Sequence, residues 1–426
     1  MDSYVVHGGK KLRGEVSISG NKNAALPCIA ACLLTDESVK LSNIPDIVDV
    51  RVMFKLATEL GSNVQRDGKN SYTITSSVHF NGLTPSLVDS VRGSILFSGP
   101  LLARGISVVL PPPGGDVIGL RRLDAHFMGL TALGVSCSVN DRGYLVLQAP
   151  SRLKSADIFL DEASVTATEN VLMAAALADG VSTIYNAACE PHVQDLCHML
   201  TAMGALVEGI GSNLLTVHGR EKLHRTSFKI GSDYMELGSF IGVAAATGGE
   251  LLLKDVTTKF LRPLELGFDR LGISFERGEN TIFVPEKQSR VISKTYSGVT
   301  PKLDDAPWPG FPADLLSIMT VTACRMKGQI LIHEKMFESR MYFIDNLIRM
   351  GADIILCDPH RAVVNGPSRF RPAEVTSPDV RAGMALVIAS LCTDGVCLIK
   401  NIGQIERGYE SLLEKLLSIG ADIREG

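Results

Sequence analysis

Ionisable residues crowd into the stretch Leu110–His126, LPPPGGDVIGLRRLDAH, more densely than a plain connection requires. Three prolines followed by two glycines stiffen and then release the backbone, which predicts a projecting loop with a helix resuming near Arg121. Asp116 stands at its tip, a carboxyl able to give or take a proton; Arg121 and Arg122 follow, with Asp124 and His126 a turn further on. Elsewhere the polar residues gather at the starts of predicted helices. Lys22 with Asn23, Arg92, Glu169, Asp233 with Glu236, Asp314, and Asp379 with Arg381 open segments that are otherwise small and apolar. Asp49 with Arg51, Arg121 with Arg122, Glu190, Glu338 with Arg340, and Arg407 open amphipathic ones. Helix N-termini favour anions, so arginines placed there repeatedly run against the dipole. Surface ion pairs account for Arg51 and Arg122. For the rest, a shared anionic ligand bearing phosphate and carboxylate is the better explanation, with carboxyls beside it to move protons.

The elements that must position these residues follow from length and pattern. A chain of 426 residues and 45.7 kDa is long enough for at least two domains. An apolar residue and glycine, followed by a short strand-like run, recur six times, with the glycines at 61, 134, 204, 272, 351 and 420. Each glycine fits a helix terminator in the left-handed conformation, and spacings of 68 to 79 residues make an internal repeat. Before each glycine lies an amphipathic helix, as in Met53, Leu56, Ala57 and Leu60. Upstream lies a second helix, apolar nearly all round, exemplified by Asn23–Leu34, Glu169–Ala178, Met235–Thr247, Leu315–Met326 and Arg381–Leu391. These belong at a domain centre with strands packed outside them. A polar turn and second strand after each glycine read as a hairpin, except in the sixth unit, which ends at Gly426. Val5-Val6-His7-Gly8 resembles Thr216-Val217-His218-Gly219, so the N-terminal strand is expected to complete that unit. Three repeats per domain then give one domain over residues 22–231, carrying the loop 111–122, and a second from 1–21 and 232–426.

Other classes are disfavoured. A net charge of −4 leaves no polybasic surface, so nucleic acid is not an expected partner. There is no P-loop, no dinucleotide glycine fingerprint following a strand and no zinc-protease motif, and His126, His192 and His198 lack metal-ligand spacing, so no metal is expected. Nine scattered cysteines read as reduced core residues. Without a signal-like N-terminus or an apolar run approaching about 20 residues, a cytoplasmic protein with no membrane association is expected. The lone Trp308 lies in the rigid stretch DDAPWPGFP that delivers Asp314.

In order along the chain, SGNKNAALP, RGSILFSGPLLAR, PGGDVIGLRRLDAH, SVTATEN, FPADL, FESR, DVRAGMALV and ERGYE resemble the motifs of enolpyruvyl transferases, specifically those acting on UDP-N-acetylglucosamine. The resemblance implies an α/β fold, a two-domain inside-out α/β barrel in which each domain is a threefold repeat of a helix-and-strand unit. It implies transfer of the enolpyruvyl group of phosphoenolpyruvate to a sugar hydroxyl with release of phosphate. Asp314 would be the base near that hydroxyl. Lys22, Arg121 and Arg407 would hold phosphoenolpyruvate, together with Asn23, Arg340 and Arg381. Asp379 would help move protons or orient charge, making Asp116, Asp314, Lys22, Asp379 and Arg407 the catalytic set. The nucleotide sugar would meet Asn23, Arg92, Arg121, Asp124, Ala125, His126, Ser164, Val165, Thr166, Glu190, Asp314, Met336 and Phe337. No cofactor is implied, and a monomer is the expected state.

Three positions depart from the family pattern. Asp116 stands where many members carry cysteine. An unperturbed aspartate, with a pKa near about 3.9, is about 0.1% protonated at pH 7, a deficit of roughly 4 kcal/mol for a general acid. Desolvation and a nearby phosphate would raise its pKa, and Arg121 would oppose them. The epoxide fosfomycin, which attacks the family's cysteine, should form no lasting adduct. Thr166 replaces a frequent glycine, and Val48 a lysine found in some relatives. Both leave open another nucleotide acceptor, and a silent ligand-binding paralogue is the non-enzymatic alternative.

Overall fold

Helices that are apolar on every side have nowhere to go but inward, and their burial organises the chain. The computed structural model describes residues 2–115 and 119–426. They form two compact units, a first of residues 20–115 and 121–231 and a second of residues 2–19, 119–120 and 232–426. The first unit is built on α1 (Lys22–Ala31), α2 (Ser98–Ala103) and α3 (Val165–Ala175). The second is built on α4 (Tyr234–Thr247), α5 (Leu316–Ala323) and α6 (Val380–Leu391), which pack on one another. Every residue of α5 and α6 is buried. Each large apolar side chain so enclosed, such as Met384, Leu386 or Ile388, contributes about 1.5–3 kcal/mol. One continuous apolar core fills each unit.

Among the described residues six small sheets stand around the helices, three in each unit. Five share one plan. The strand after the inner helix pairs antiparallel with the second strand of a hairpin and parallel with a short edge strand on its other side. Thus Val39–Ser42 lies between Ser71–Ser76 and Ser227–Lys229, so the end of the first unit closes on its beginning. The sixth sheet, around Leu145–Gln148, has three strands and no parallel partner. Strand Ser3–His7 lies antiparallel between Val396–Lys400 and Asp422–Glu425. It takes the position that Leu214–His218 holds in its own sheet, and the circular offset of the repeat is real.

All six repeat glycines have φ between 70° and 104°, where a Cβ is strained. Two expectations are corrected. The helix after the projecting loop starts at Asp124 rather than Arg121, because the carbonyls of Arg121 and Arg122 accept from the Arg92 guanidinium. Of the cysteines, Cys357 is exposed, since its strand Asp353–Asp358 is a sheet edge where Ile355 and Leu356 are exposed too. No helix among the described residues is long and apolar enough to cross a membrane.

Gly61 and Gly420 separate backbone strain from collision. At Gly420 a Cβ meets nothing within 4 Å, whereas at Gly61 it would strike the Ser77 carbonyl oxygen. Gly420→Ala is expected to destabilise by about 1–2 kcal/mol and Gly61→Ala by clearly more, read from urea unfolding. Equal losses would mean that the Ser77 strand simply moves aside.

Candidate active site

The buried helices can expose polar groups only at their ends, and that is where the candidate residues lie. In the second unit, Asp314 sits in the turn Ala313–Leu315 that leads into α5. Its Oδ1 is held in a close ion pair by Nη2 of Arg340, and its Oδ2 accepts from Nε of Arg381 at 3.4 Å. The carboxylate is therefore aimed by two guanidiniums from two other segments. Arg381 is itself placed by Asp379, whose Oδ1 caps α6 by accepting from the N–H groups of Arg381 and Ala382 at 2.8 and 2.9 Å. The Arg381 guanidinium also lies over the Tyr409 ring, 5.1 Å from its centroid, and that of Arg340 lies 4.8 Å from the centroid of Phe337. Burial disfavours both charges, but the carboxylates around Arg340 and the Tyr409 and Asp314 groups around Arg381 outweigh it and raise both pKa values. Met336 is partly exposed beside Phe337, and Arg407 follows the short helix Gly403–Glu406, donating to Gln404 at 3.3 Å.

In the first unit, Asn21 caps α1 through Ala24 N–H, which fixes the chain where Lys22 and Asn23 emerge. The Lys22 ammonium is held 2.5 Å from Asp49, at the start of the amphipathic helix Val48–Glu59. Asp49 thus aims Lys22, while the neighbouring Val48 is exposed. Arg92 opens the turn Arg92–Phe97 and donates to the carbonyls of Pro113, Arg121 and Arg122 at 2.5–3.3 Å. It braces both ends of the loop whose centre holds Asp116; Asp116 itself lies outside the described residues. Burial, and then the charge of Arg121, lowers the Arg92 pKa to about 10, so it stays charged. The N–H groups of Asp124 and Ala125 open the helix Asp124–Ala132 without a side-chain cap. Arg51 and Arg122 make surface ion pairs, with Asp46 and with Asp124 and Asp161.

His126 is buried, and both ring nitrogens are engaged. Asn170 Nδ2 donates to Nδ1 at 3.0 Å, which leaves Nε2–H to donate to Thr166 Oγ1, also at 3.0 Å. Burial, and then the charge of Arg92, pushes its pKa down to about 3, so it is neutral at pH 7. Thr166 therefore gives His126 a partner that glycine could not supply. Ser164 caps α3 through Ala167 N–H, with Val165 the first helical residue. Glu169 is buried in α3, and burial followed by the charge of Glu190 drives its pKa well up. Glu190 stands at the start of the helix Pro191–Ala202.

A sequence profile described as EPSP synthase (3-phosphoshikimate 1-carboxyvinyltransferase) matches residues 6–416. The chain belongs to the EPSP synthase family. Several relatives that match over the full length carry another name. A Treponema denticola protein named UDP-N-acetylglucosamine 1-carboxyvinyltransferase is 53% identical over 424 residues, 99% of each chain. Proteins of the same name are 54% identical in Treponema pallidum, over the whole of both chains, and 50% in Bradyrhizobium diazoefficiens, over 99% and 97%. Among solved structures, the enolpyruvyl transferase NikO from Streptomyces tendae superposes with a TM-score of 0.87 at 23% identity, covering 100% of this chain and 99% of its own. An EPSP synthase from Acinetobacter baumannii superposes at 0.76 and 17%, covering 100% of both chains. These likenesses show that the chain has the family's two-domain α/β fold.

Within this EPSP synthase-family chain, two carboxyls escape the sequence reading. Asp305 and Glu334 are buried behind Asp314 and Arg340, and their only signal is that each follows a strand. The Arg92 brace also yields a measurable expectation. Lysine offers one point charge in place of a planar fork, so Arg92→Lys cannot serve both ends of the loop. Amide exchange at residues 114–115 and 119–123 should accelerate about tenfold or more, with global stability changed by less than about 1 kcal/mol. Unchanged exchange would show that the guanidinium does not restrain the loop.

Proposed function

We propose that this chain transfers the enolpyruvyl group of phosphoenolpyruvate to the 3-hydroxyl of UDP-N-acetylglucosamine, releasing phosphate, the first committed step of peptidoglycan precursor synthesis. The observation that carries this reading is full-length identity of 50–54% to proteins named for that activity. The side-chain arrangement supports it. In the addition step the hydroxyl oxygen attacks C2 of phosphoenolpyruvate while C3 takes a proton, leaving a tetrahedral carbon that bears carboxylate, phosphate, methyl and sugar oxygen. Loss of a proton from C3 and of phosphate from C2 then restores the double bond.

Asp314 takes the hydroxyl proton, its two oxygens oriented by Arg340 and Arg381. Lys22, Arg121 and Arg407 hold the phosphate and carboxylate of phosphoenolpyruvate, with Asn23 beside them, and Asp379 orients Arg381 through the α6 cap. The nucleotide diphosphate lies at the start of the helix Asp124–Ala132, near Arg121 and Ala125. His126 acts there as a neutral brace for Thr166, beside Ser164 and Val165. Met336 and Phe337 flank the nucleotide, and Arg92 and Glu190 keep their neighbours in place. Asp116 supplies the proton to C3 in the position where many members of the family have cysteine. The chain works as a monomer with no cofactor.

The test is phosphate release from phosphoenolpyruvate with UDP-N-acetylglucosamine, with and without fosfomycin pre-incubation. Acceptor-dependent release is expected, and Asp314→Ala should lower turnover by about 10²–10⁴-fold. No release with this acceptor would overturn the reading. Fosfomycin should leave the rate unchanged and the intact mass unaltered, and an adduct on the loop would remove Asp116 from the proposed role. Near-normal turnover in Asp116→Ala would do the same.

A further inference from the structure

Asp314 and Arg340, which pair with one another, are delivered by two segments that leave the same sheet side by side. Strand Lys302–Asp304 runs parallel to Gly328–His333, with Asp304 opposite His333. The next residue on the first is Asp305, from which the chain passes through Trp308 and Pro312 to Asp314. The next residue on the second is Glu334, from which it turns through Met336 and Phe337 to Arg340. Asp305 is fully buried and Glu334 nearly so. Asp305 accepts from the N–H groups of Lys335 and Met336, at 2.5 and 3.2 Å, and so ties its own segment to the other. Glu334 Oε1 accepts from the N–H groups of Met336 and Phe337, at 3.2 and 3.1 Å. The Met336 N–H is shared by Asp305 Oδ2 and Glu334 Oε1, so two buried carboxyls sit close together, where two full negative charges would repel.

The far oxygen of Glu334 gives independent support. It lines a small cavity with Ser317, Arg340 and Arg381. Oε2 of Glu334, Oγ of Ser317, Nε of Arg340 and Nη1 of Arg381 all lack a hydrogen-bond partner among the described residues. An ionised carboxylate buried against two guanidiniums is expected to pair with one of them. Glu334 makes no such pair, and both arginines turn to Asp314 instead.

We propose that Asp305 and Glu334 are positioning residues for the transfer reaction, a carboxyl pair sharing one proton that locks the segment ending at Asp314 to the segment ending at Arg340. The inference rests on the enolpyruvyl-transfer reading of the site. One shared proton halves the charge of the pair, so Arg340 and Arg381 remain available to Asp314 and to an anionic substrate. The charged and titratable groups around the pair are Arg340, Arg381 and Asp379, which line the same cavity as Glu334, and His360, whose Nδ1 contacts the Glu334 carbonyl, while Lys302 and Lys335 pair with the adjacent Asp304. Burial, then the neighbouring Asp305 carboxyl, pushes the Glu334 carboxyl up to about 9, with Arg340 opposing. A carboxyl raised in the folded state stabilises it fully at low pH, and that contribution is lost as pH climbs from about 4.5 toward 9.

Glu334→Gln and Glu334→Ala test this. Glutamine keeps a neutral donor toward Asp305, so kcat/KM for phosphoenolpyruvate at pH 7 should stay within about threefold of wild type, while Glu334→Ala should lose about tenfold or more. Between pH 6 and 9 the wild-type unfolding midpoint should fall further than that of Glu334→Gln. Three results would each overturn the proposal: Glu334→Gln as impaired as Glu334→Ala, Glu334→Ala with wild-type kinetics, or Glu334→Gln with the wild-type pH dependence of unfolding. The unfolding comparison needs neither substrate nor the alanine variant to fold. It therefore still judges the pair if the wild-type chain proves not to transfer enolpyruvate.

Discussion

A helix buried on every side can present chemistry only at its ends, and this constraint shapes the protein. α5 and α6 have no exposed residue along their length, and α4 is nearly as enclosed. Any group that must meet a solute has to stand in the first turn or in the segment leading into it. Asp314, Asp379 with Arg381, Lys22 and Ser164 all do so. The same constraint dictates the small sheets outside. Each inner helix needs a cover, and a strand with a hairpin supplies it, joined in five of the six sheets by a short edge strand.

Placing arginines at such ends works against the helix dipole, and the structure shows two ways of absorbing the conflict. At α6 the Asp379 carboxylate takes the end N–H groups, and the Arg381 guanidinium turns away to Asp314 and the Tyr409 ring. At Arg92 the guanidinium turns to backbone carbonyls, so its charge organises chain rather than a neighbouring carboxylate. In each case a cation is kept in a fixed direction by groups that do not fully neutralise it. That is what recognition of a phosphorylated carboxylate requires.

The repeat was legible because a left-handed helix terminator is a one-residue requirement, and glycine meets it at six regular places. Charged residues at several helix starts were legible for the same local reason, Asp49, Asp314 and Asp379 among them, whereas Glu169 lies inside α3 and Arg407 follows a short helix instead of opening one. What they would touch was not. Arg340 meets Asp314 across 26 residues of sequence, and Arg92 reaches carbonyls up to 30 residues away. The second of these contacts is why the helix near Arg121 starts later than local pattern suggests. The resemblance implies that His126 meets the nucleotide sugar, but the bonds of both its ring nitrogens to Asn170 and Thr166 were not legible. No spacing rule marks that arrangement, because it is set by α3 packing beside the helix Asp124–Ala132.

Asp305 and Glu334 sharpen the distinction between residues that carry chemistry and residues that hold it still. Each is a strand-end carboxyl, unremarkable by pattern, and each acquires meaning only from the parallel pairing that sets them together. An ion pair such as Asp314–Arg340, formed between two irregular segments, would have many geometries if only its own ends were fixed. Anchoring the same two segments at their origins removes most of that freedom. The anchor itself has to be electrically quiet, since a full second negative charge behind Arg340 would compete with Asp314 for the guanidinium. A proton held between two buried carboxyls satisfies both demands with the groups already in place.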